Sequence, residues 1–191
     1  SLAIKYFKNK NNKLSWDWYE LWQDAHKKSF TVAKVMREDI LKDIRSALDK
    51  ALSEGKTFKE FSKELKPTLQ KKGWWGEQIV VDSKGNAEKV QLGSMYRLKT
   101  IYSVNMQTAY QTGRYKTQIE NKENRPYWQY VAVLDANTRP EHAQLHDLVF
   151  PCDDAFWTAF YPPNGWRCRC RVRALSDSYV KKHNLTIDSS N

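Results

Sequence analysis

Two cysteines separated by one residue, Cys168 and Cys170, are the side chains best suited to chemistry in this sequence. They belong to the segment YPPNGWRCRCRV, residues 161–172, in a chain of 191 residues that has three cysteines. So few cysteines, in an odd number, exclude a disulfide-stapled scaffold, and a one-residue spacer would make a strained disulfide ring. We therefore expect free thiols and a reducing compartment.

Histidines upstream of this pair could complete a metal site. The segment TRPEHAQLHD places His142 and His146 four residues apart, on one face of a short helix. Two imidazoles and two thiolates form a tetrahedral set that suits Zn²⁺. The sequence thus predicts one structural zinc bound by His142, His146, Cys168 and Cys170, with Cys152 available to replace one histidine. Four protein ligands leave no open position for substrate, so no catalytic residue is assigned.

Spacing alone leaves two other interpretations of the cysteines open. Buried free thiols behave as small hydrophobic residues in a hydrogen-bonded core and are commonly inert. A nucleophilic thiol would need a neighbouring base and an exposed setting.

The same segment carries a row of arginines. RCRCRVRA, residues 167–174, alternates strictly and predicts a strand with a thiol-bearing apolar face and a basic face. The basic face could bind phosphates or an acidic protein, or could be a solvated face paired with local carboxylates such as Asp135. The candidate partner-binding residues are Arg167, Arg169, Arg171 and Arg173.

Composition limits the classes of partner. The net charge of +10 and the pI near 9.4 favour polyanions or acidic protein surfaces, although a generally basic soluble protein is the plainer interpretation. We expect no membrane span, because no apolar run approaches the roughly 18 residues that one needs.

The elements that position these residues follow from periodicity. A helical pattern begins after Ser15 and continues to Gly55, preceded by an exposed basic lead-in at residues 5–13. The next helix begins with a Thr57–Glu60 capping box, and Pro67 should break or kink it. Further predictions are a peripheral hairpin at 77–92, a long helix at about 95–121, a strand at 127–135 and a last helix capped by Ser176.

These elements predict an α+β fold with a helical N-terminal half and a long helix that packs on a small, mostly antiparallel sheet in the C-terminal motif region. We predict two regions: residues 1–94, helical with the hairpin, and residues 95–191, an α+β core that carries the His/Cys motif.

The run from residue 133 to residue 172 closely resembles the motif of the phage Mu protein F-like family, the minor head or head-morphogenesis proteins of tailed phages. The motif combines an aspartate, T-R-P-x-H and Y-P-P-N-G-W-x-C-R-C, and the upstream segments GWWG and RLKTIYSVNMQTAYQTGRY fit it as well. Some relatives have T-C-P-x-C where this chain has Arg139 and His142, so the match implies a metal set that is altered here. The residues assigned a structural role in the motif are Asp135, Arg139, Pro162, Pro163, Gly165 and Trp166.

The resemblance implies a minor capsid protein that binds the portal protein and capsid or scaffold proteins inside the phage head, and that is found in the host cytoplasm during assembly. It also implies non-specific contact with packaged DNA. Trp16, Trp18 and Trp22 are expected in the core or in a portal-docking surface. Because the chain stops at Asn191, we expect no further toxin or enzyme domain, unless the sequence is truncated.

Two rival functions stay open on the sequence. One is a nuclease or toxin that uses His142 and His146 in acid–base chemistry. The other is a plain basic nucleic-acid-binding module, whose affinity would fall steeply with salt.

Overall fold

The computed structural model describes residues 1–12, 29–30, 32, 35, 37–81 and 85–190 of the chain. Its helices and small, mostly antiparallel sheets confirm the predicted α+β class. Tertiary contacts divide the chain into two compact units, Ile4–Met106 and Ser1–Ala3 with Gln107–Asn191. The boundary predicted between residues 94 and 95 stays a prediction. Among the described residues, no helix combines the length and the hydropathy needed to cross a bilayer.

The N-terminal segment differs from its predicted form. Helix α1, Leu2–Lys8, occupies the first four residues of the predicted lead-in and buries Phe7, because its apolar side chains share a face. Strands β1, Asn11–Asn12, and β2, Ser29–Phe30, pair in parallel. The predicted helix start at Ser15 and the three tryptophans that follow lie outside the described residues.

Helix α2, Glu38–Glu54, is the C-terminal part of the long helical pattern. Residues 29–30, 32, 35 and 37, the described ones before it, are not helical, so the prediction of a helix is wrong at these positions. That stretch is rich in β-branched residues, which favour extended backbone, and buried Val32 and Val35 belong to it. Gly55 ends the helix in the left-handed conformation, at φ 69°.

Helix α3, Phe58–Lys71, begins with the predicted capping box of Thr57 and Glu60. Pro67 lies inside this helix and does not end it, so the predicted break is wrong, whereas the alternative of a kink stays a prediction. Pro67 is exposed, so water can satisfy the carbonyl that loses its partner. Strands β3, Glu77–Val81, and β4, Ala87–Gln91, pair antiparallel and confirm the hairpin.

Helix α4, Met95–Glu120, confirms the predicted long helix. Leu98 and Ala109 on its predicted inner side are fully buried. Tyr110 is 56% exposed, since it lies one residue, and so about 100° around the helix, from Ala109.

The C-terminal unit is built on a three-stranded sheet of β5, Tyr127–Val131, β6, Val149–Pro151, and β7, Arg171–Leu175. β5 is central and pairs antiparallel with both neighbours. Trp128 and Tyr130 of β5 are fully buried in a cluster that includes both motif cysteines. Around the sheet lie short helices: α5, Pro140–Gln144, α6, Phe156–Phe160, and α7, Asp177–Lys182, the last capped by Ser176 as predicted.

Strand β7 is shorter than the strand predicted over residues 167–174. Its pairing with β5 ends at Val131 opposite Arg171, so residues 167–170 have no strand beside them. Arg167 also has a left-handed backbone, at φ 57°, which interrupts extended structure. The predicted alternation of exposed and buried side chains is nevertheless present: the arginines are exposed, and Cys168, Cys170 and Val172 are buried.

Candidate functional site

His142, Cys168 and Cys170 converge in the interior of the C-terminal unit. Their ligand atoms all lie within 4.8 Å of one another, and all three residues are buried. The His142 Nδ1 atom is 3.8 Å from the Cys168 sulfur and 3.7 Å from the Cys170 sulfur. A neutral imidazole nitrogen and two thiolates are donors that Zn²⁺ prefers, so this set fits a zinc ion.

Local structure explains how His142 reaches the cysteines. Pro140 starts helix α5, where a proline costs no hydrogen bond, and His142 follows in the first turn. Arg139, at the N-cap, donates through Nη2 to the Trp166 carbonyl at 2.8 Å. This bond ties the start of α5 to the turn that precedes Cys168.

The YPPNGW turn holds the other side of the cluster. Asn164 donates its side-chain amide to the Phe160 carbonyl at 2.7 Å and to the Tyr130 hydroxyl at 3.2 Å. Gly165 has φ +92°, a conformation that side chains resist. Trp166 is half-buried. The Pro162–Pro163 peptide bond is cis, and Pro162 is buried.

The two thiols influence each other's pKa. A hydrogen bond from Cys170 lowers the pKa of Cys168, and the Arg139 guanidinium acts in the same direction. The thiolate character of Cys168, and then burial, raise the pKa of Cys170. At neutral pH this arrangement favours one thiolate and one thiol, so a metal ion that bound both sulfurs would release a proton.

The structure does not bring His146 or Cys152 into this cluster, although the sequence analysis included both. Helix α5 ends at Gln144, so His142 and His146 do not share a helical face. The Nδ1 atom of His146 accepts from the Ala132 N–H, and its Nε2 atom lies 3.4 Å from Asp147. Cys152 is half-buried and packs at the edge of the core cluster.

Asp135 has a structural role at the start of the motif. Its carboxylate accepts hydrogen bonds from Nη1 and Nη2 of Arg169 and from the backbone N–H of Asn137. The hydrogen bonds from Arg169 hold the pKa of Asp135 well below its usual range. Arg169 is therefore an ion-pair partner, which is the plainer of the two interpretations that the sequence left open.

The other arginines have different surroundings. The Arg173 guanidinium lies over the Tyr179 ring, 4.5 Å from its centroid, and Tyr179 stacks on His183 at 4.1 Å. Arg167, Arg171 and Arg173 are exposed. Of this row, Arg171 and Arg173 share the outward face of β7 and remain candidates for binding a partner.

One face of α4 carries polar side chains that donate hydrogen bonds to the backbone near this site, and the sequence had not singled them out. Gln111 donates to the Cys170 carbonyl at 3.0 Å, and Arg114 and Gln118 each donate to the Val172 carbonyl at 3.0 Å. Their spacing of three and four residues is that of one helix face, and this was the available signal. Because polar stripes usually face solvent, the pattern did not indicate burial against a strand.

Comparisons with known proteins agree with the motif. The family described as "Phage Mu protein F like protein" matches residues 42–173. The chain is 54% identical over 185 residues, 97% of its length, to the "Putative capsid assembly protein F" of Escherichia phage Mu. It is 46% identical over 177 residues, 93% of its length, to the "Mu-like prophage FluMu F protein" of Haemophilus influenzae. In both cases the matched part is 42% of the relative, so the chain spans about two fifths of their length. No solved structure matches the chain.

Proposed function

Because the chain belongs to the phage Mu protein F-like family, as its motif predicted, we propose that it is a minor head protein that takes part in capsid assembly of a Mu-like phage or prophage. The observation that carries this proposal is the 54% identity, over 97% of the chain, to a relative named for capsid assembly.

The proposed partners are the portal protein and capsid or scaffold proteins, in the host cytoplasm during assembly and then in the head interior. Exposed apolar side chains support a protein partner, since such groups are candidates for burial in an interface. On the hairpin, Ile79 is 74% exposed and Val81 is 61% exposed, and both lie on one face of β3.

Contact with packaged DNA is the second part of the proposal. Arg171 and Arg173 are exposed on the face of β7 opposite the core, and Lys181 and Lys182 on α7 are exposed as well. Guanidinium groups bind phosphates in a bidentate way without reading sequence, as a protein beside packaged DNA would require.

A structural role is better supported than the nuclease or toxin alternative. Acid–base cleavage by His142 and His146 would need both rings to face one substrate. His142 is 7% exposed and faces two thiols, whereas His146 bonds to the backbone of Ala132. A zinc ion bound by His142, Cys168 and Cys170 would leave one coordination position for water. Because all three residues are buried, the ion would act as a structural link that fixes the YPPNGW turn to helix α5.

Co-expression with the portal protein of a Mu-like phage tests the main proposal. We expect the chain to co-purify with the portal ring and to stay bound after nuclease treatment. Ile79→Lys should weaken this association without unfolding the protein, because the side chain is mostly exposed. Thr68→Lys, an equally charged change at an exposed position of α3, is the control. Failure of the unmodified chain to associate in any co-expression would overturn portal binding.

A further inference from the structure

We infer that His142, Cys168 and Cys170 are the ligands of this zinc site, and that the Tyr130 hydroxyl positions the Cys170 sulfur on the metal. The inference rests on the structural zinc of the proposed function and names its ligands and a supporting residue. It replaces the four-ligand set that sequence spacing predicted.

The separations of the three donor atoms match a tetrahedral metal site. With Zn–S bonds of about 2.3 Å and Zn–N bonds of about 2.0–2.1 Å, tetrahedral geometry places donor atoms roughly 3.5–3.8 Å apart. The two sulfur-to-nitrogen distances here are 3.8 and 3.7 Å, and all three donors lie within 4.8 Å. One ion can therefore bridge them with small adjustments of side-chain torsions.

The approach of His142 supports ligation through a specific atom. The same ring nitrogen, Nδ1, faces both sulfurs. In a hydrogen-bonded core without metal, this nitrogen would serve as partner to two thiols at distances that are long for strong hydrogen bonds. A metal ion located between the three atoms would be coordinated by all of them.

Tyr130 is placed to orient one of the thiolates. Its side chain is fully buried and packs in the same core cluster as Cys168 and Cys170. Because the Asn164 amide donates to the hydroxyl oxygen, the hydroxyl proton is left to donate to the sulfur. Groups that bond to a ligand in this way fix its orientation and tune the metal, and their loss typically weakens binding about 10- to 100-fold.

Cobalt titration of the metal-free full chain, kept reduced, tests the inference. We expect about one Co²⁺ per chain, with thiolate-to-cobalt charge-transfer absorption that disappears when zinc is added. Cys168→Ser, Cys170→Ser and His142→Ala should each lose this spectrum. The matched controls, Cys152→Ser and His146→Gln, should keep it. Tyr130→Phe should weaken binding about 10- to 100-fold and shift the charge-transfer band to lower energy, because the thiolate loses a hydrogen bond.

A second measurement uses only the unmodified chain, in case the ligand variants do not fold. Zinc should raise the thermal midpoint and protect Cys168 and Cys170 from alkylation, while Cys152 stays reactive. Mass spectrometry of the alkylated peptides reports each cysteine separately.

Each contrary result has a distinct meaning. No cobalt binding by folded protein would overturn the site and the structural zinc, whereas portal association would still be decided by its own assay. Loss of the spectrum in His146→Gln would overturn the three-ligand set. An unshifted band in Tyr130→Phe would overturn the role of Tyr130, because a merely structural residue changes stability without changing that energy.

Discussion

At the scale of single residues, Asp135 is the clearest example of a side chain whose role depends on a partner far along the chain. It accepts two hydrogen bonds from Arg169 and one from the Asn137 backbone. Thr138 joins the same group by donating to the Asp135 carboxylate and to the Val133 carbonyl. These bonds fix the conformation of the loop that precedes α5, and so help to position His142 on that helix.

The depressed pKa of Asp135 predicts a pH-dependent contribution to stability. The folded pKa lies below the ordinary value of 3.8, so the ion pair stabilises the fold at pH values above about 4. The contribution is lost as the pH falls further toward the folded pKa. We expect Asp135→Asn to lower the thermal midpoint at pH 7, and this difference from the unmodified protein to shrink progressively as the pH falls below about 4.

The control is Asp153→Asn, an exposed carboxylate in the same unit, which should leave the midpoint unchanged. A difference between Asp135→Asn and the unmodified protein that persisted undiminished at pH 2 would contradict the ion-pair explanation.

At the scale of elements, the contact of α4 with β7 is made of side-chain amides and carbonyl groups. β7 is an edge strand. The Val172 carbonyl on this strand, and the Cys170 carbonyl just before it, accept hydrogen bonds from side chains of α4. An uncovered strand edge is open to pairing with another chain, so these bonds both satisfy the carbonyls and close the edge. On the other edge, Asp188 exchanges hydrogen bonds with Val149 of β6.

Gln118 offers a test of this contact, because its side chain makes two bonds. It donates to the Val172 carbonyl at 3.0 Å and accepts from the Tyr161 hydroxyl at 2.8 Å. Gln118→Leu leaves the Tyr161 hydroxyl without its acceptor, whereas the Val172 carbonyl keeps the hydrogen bond from Arg114. We expect a loss of about 1–3 kcal/mol in the free energy of unfolding. Urea denaturation measures it.

A double-mutant cycle with Tyr161→Phe isolates the hydroxyl bond. If Gln118 and Tyr161 interact, the double variant loses less stability than the sum of the single variants. Lys116→Ala, an exposed change on the same helix, is the control. Strict additivity of the two changes would argue against the bond.

At the scale of the whole molecule, the net charge of +10 is the property most relevant to a nucleic-acid partner. Asp135 forms an ion pair with Arg169. Arg171 and Arg173 on β7 stay exposed, and so do Lys181 and Lys182 on the following helix α7. The local balance of charge therefore makes the β7 face a better candidate for phosphate binding than the motif loop.

Salt dependence separates phosphate contact from other modes of binding. We expect the affinity for double-stranded DNA to fall with salt, and the slope of log affinity against log salt to become shallower by about 2 in Arg171→Ala/Arg173→Ala, one unit for each lost phosphate contact. Lys59→Ala/Lys63→Ala, on exposed positions of α3, removes the same charge. An equal change of slope in this control would show that binding follows total charge rather than the β7 face.

Much of this protein follows from its sequence because the deciding interactions are local. The capping box at Thr57, the hairpin, the long helix and the alternation of arginine with buried residues all depend on neighbours a few positions apart. The long motif also identified the family without any structure. Local patterns failed at Ser29–Phe30, which form strand β2 in place of helix, and at Pro67, whose exposed setting permits a continuous helix.

Only the tertiary structure decided which chemical groups meet. Spacing suggested His146 as a ligand, but α5 ends at Gln144 and the ring bonds to Ala132. Spacing also treated four arginines alike, but packing brings Asp135 to Arg169 and Tyr179 to Arg173. Such contacts join residues that are tens of positions apart in the sequence. They depend on the packing of the buried core around Trp128 and Tyr130, and local periodicity does not predict them.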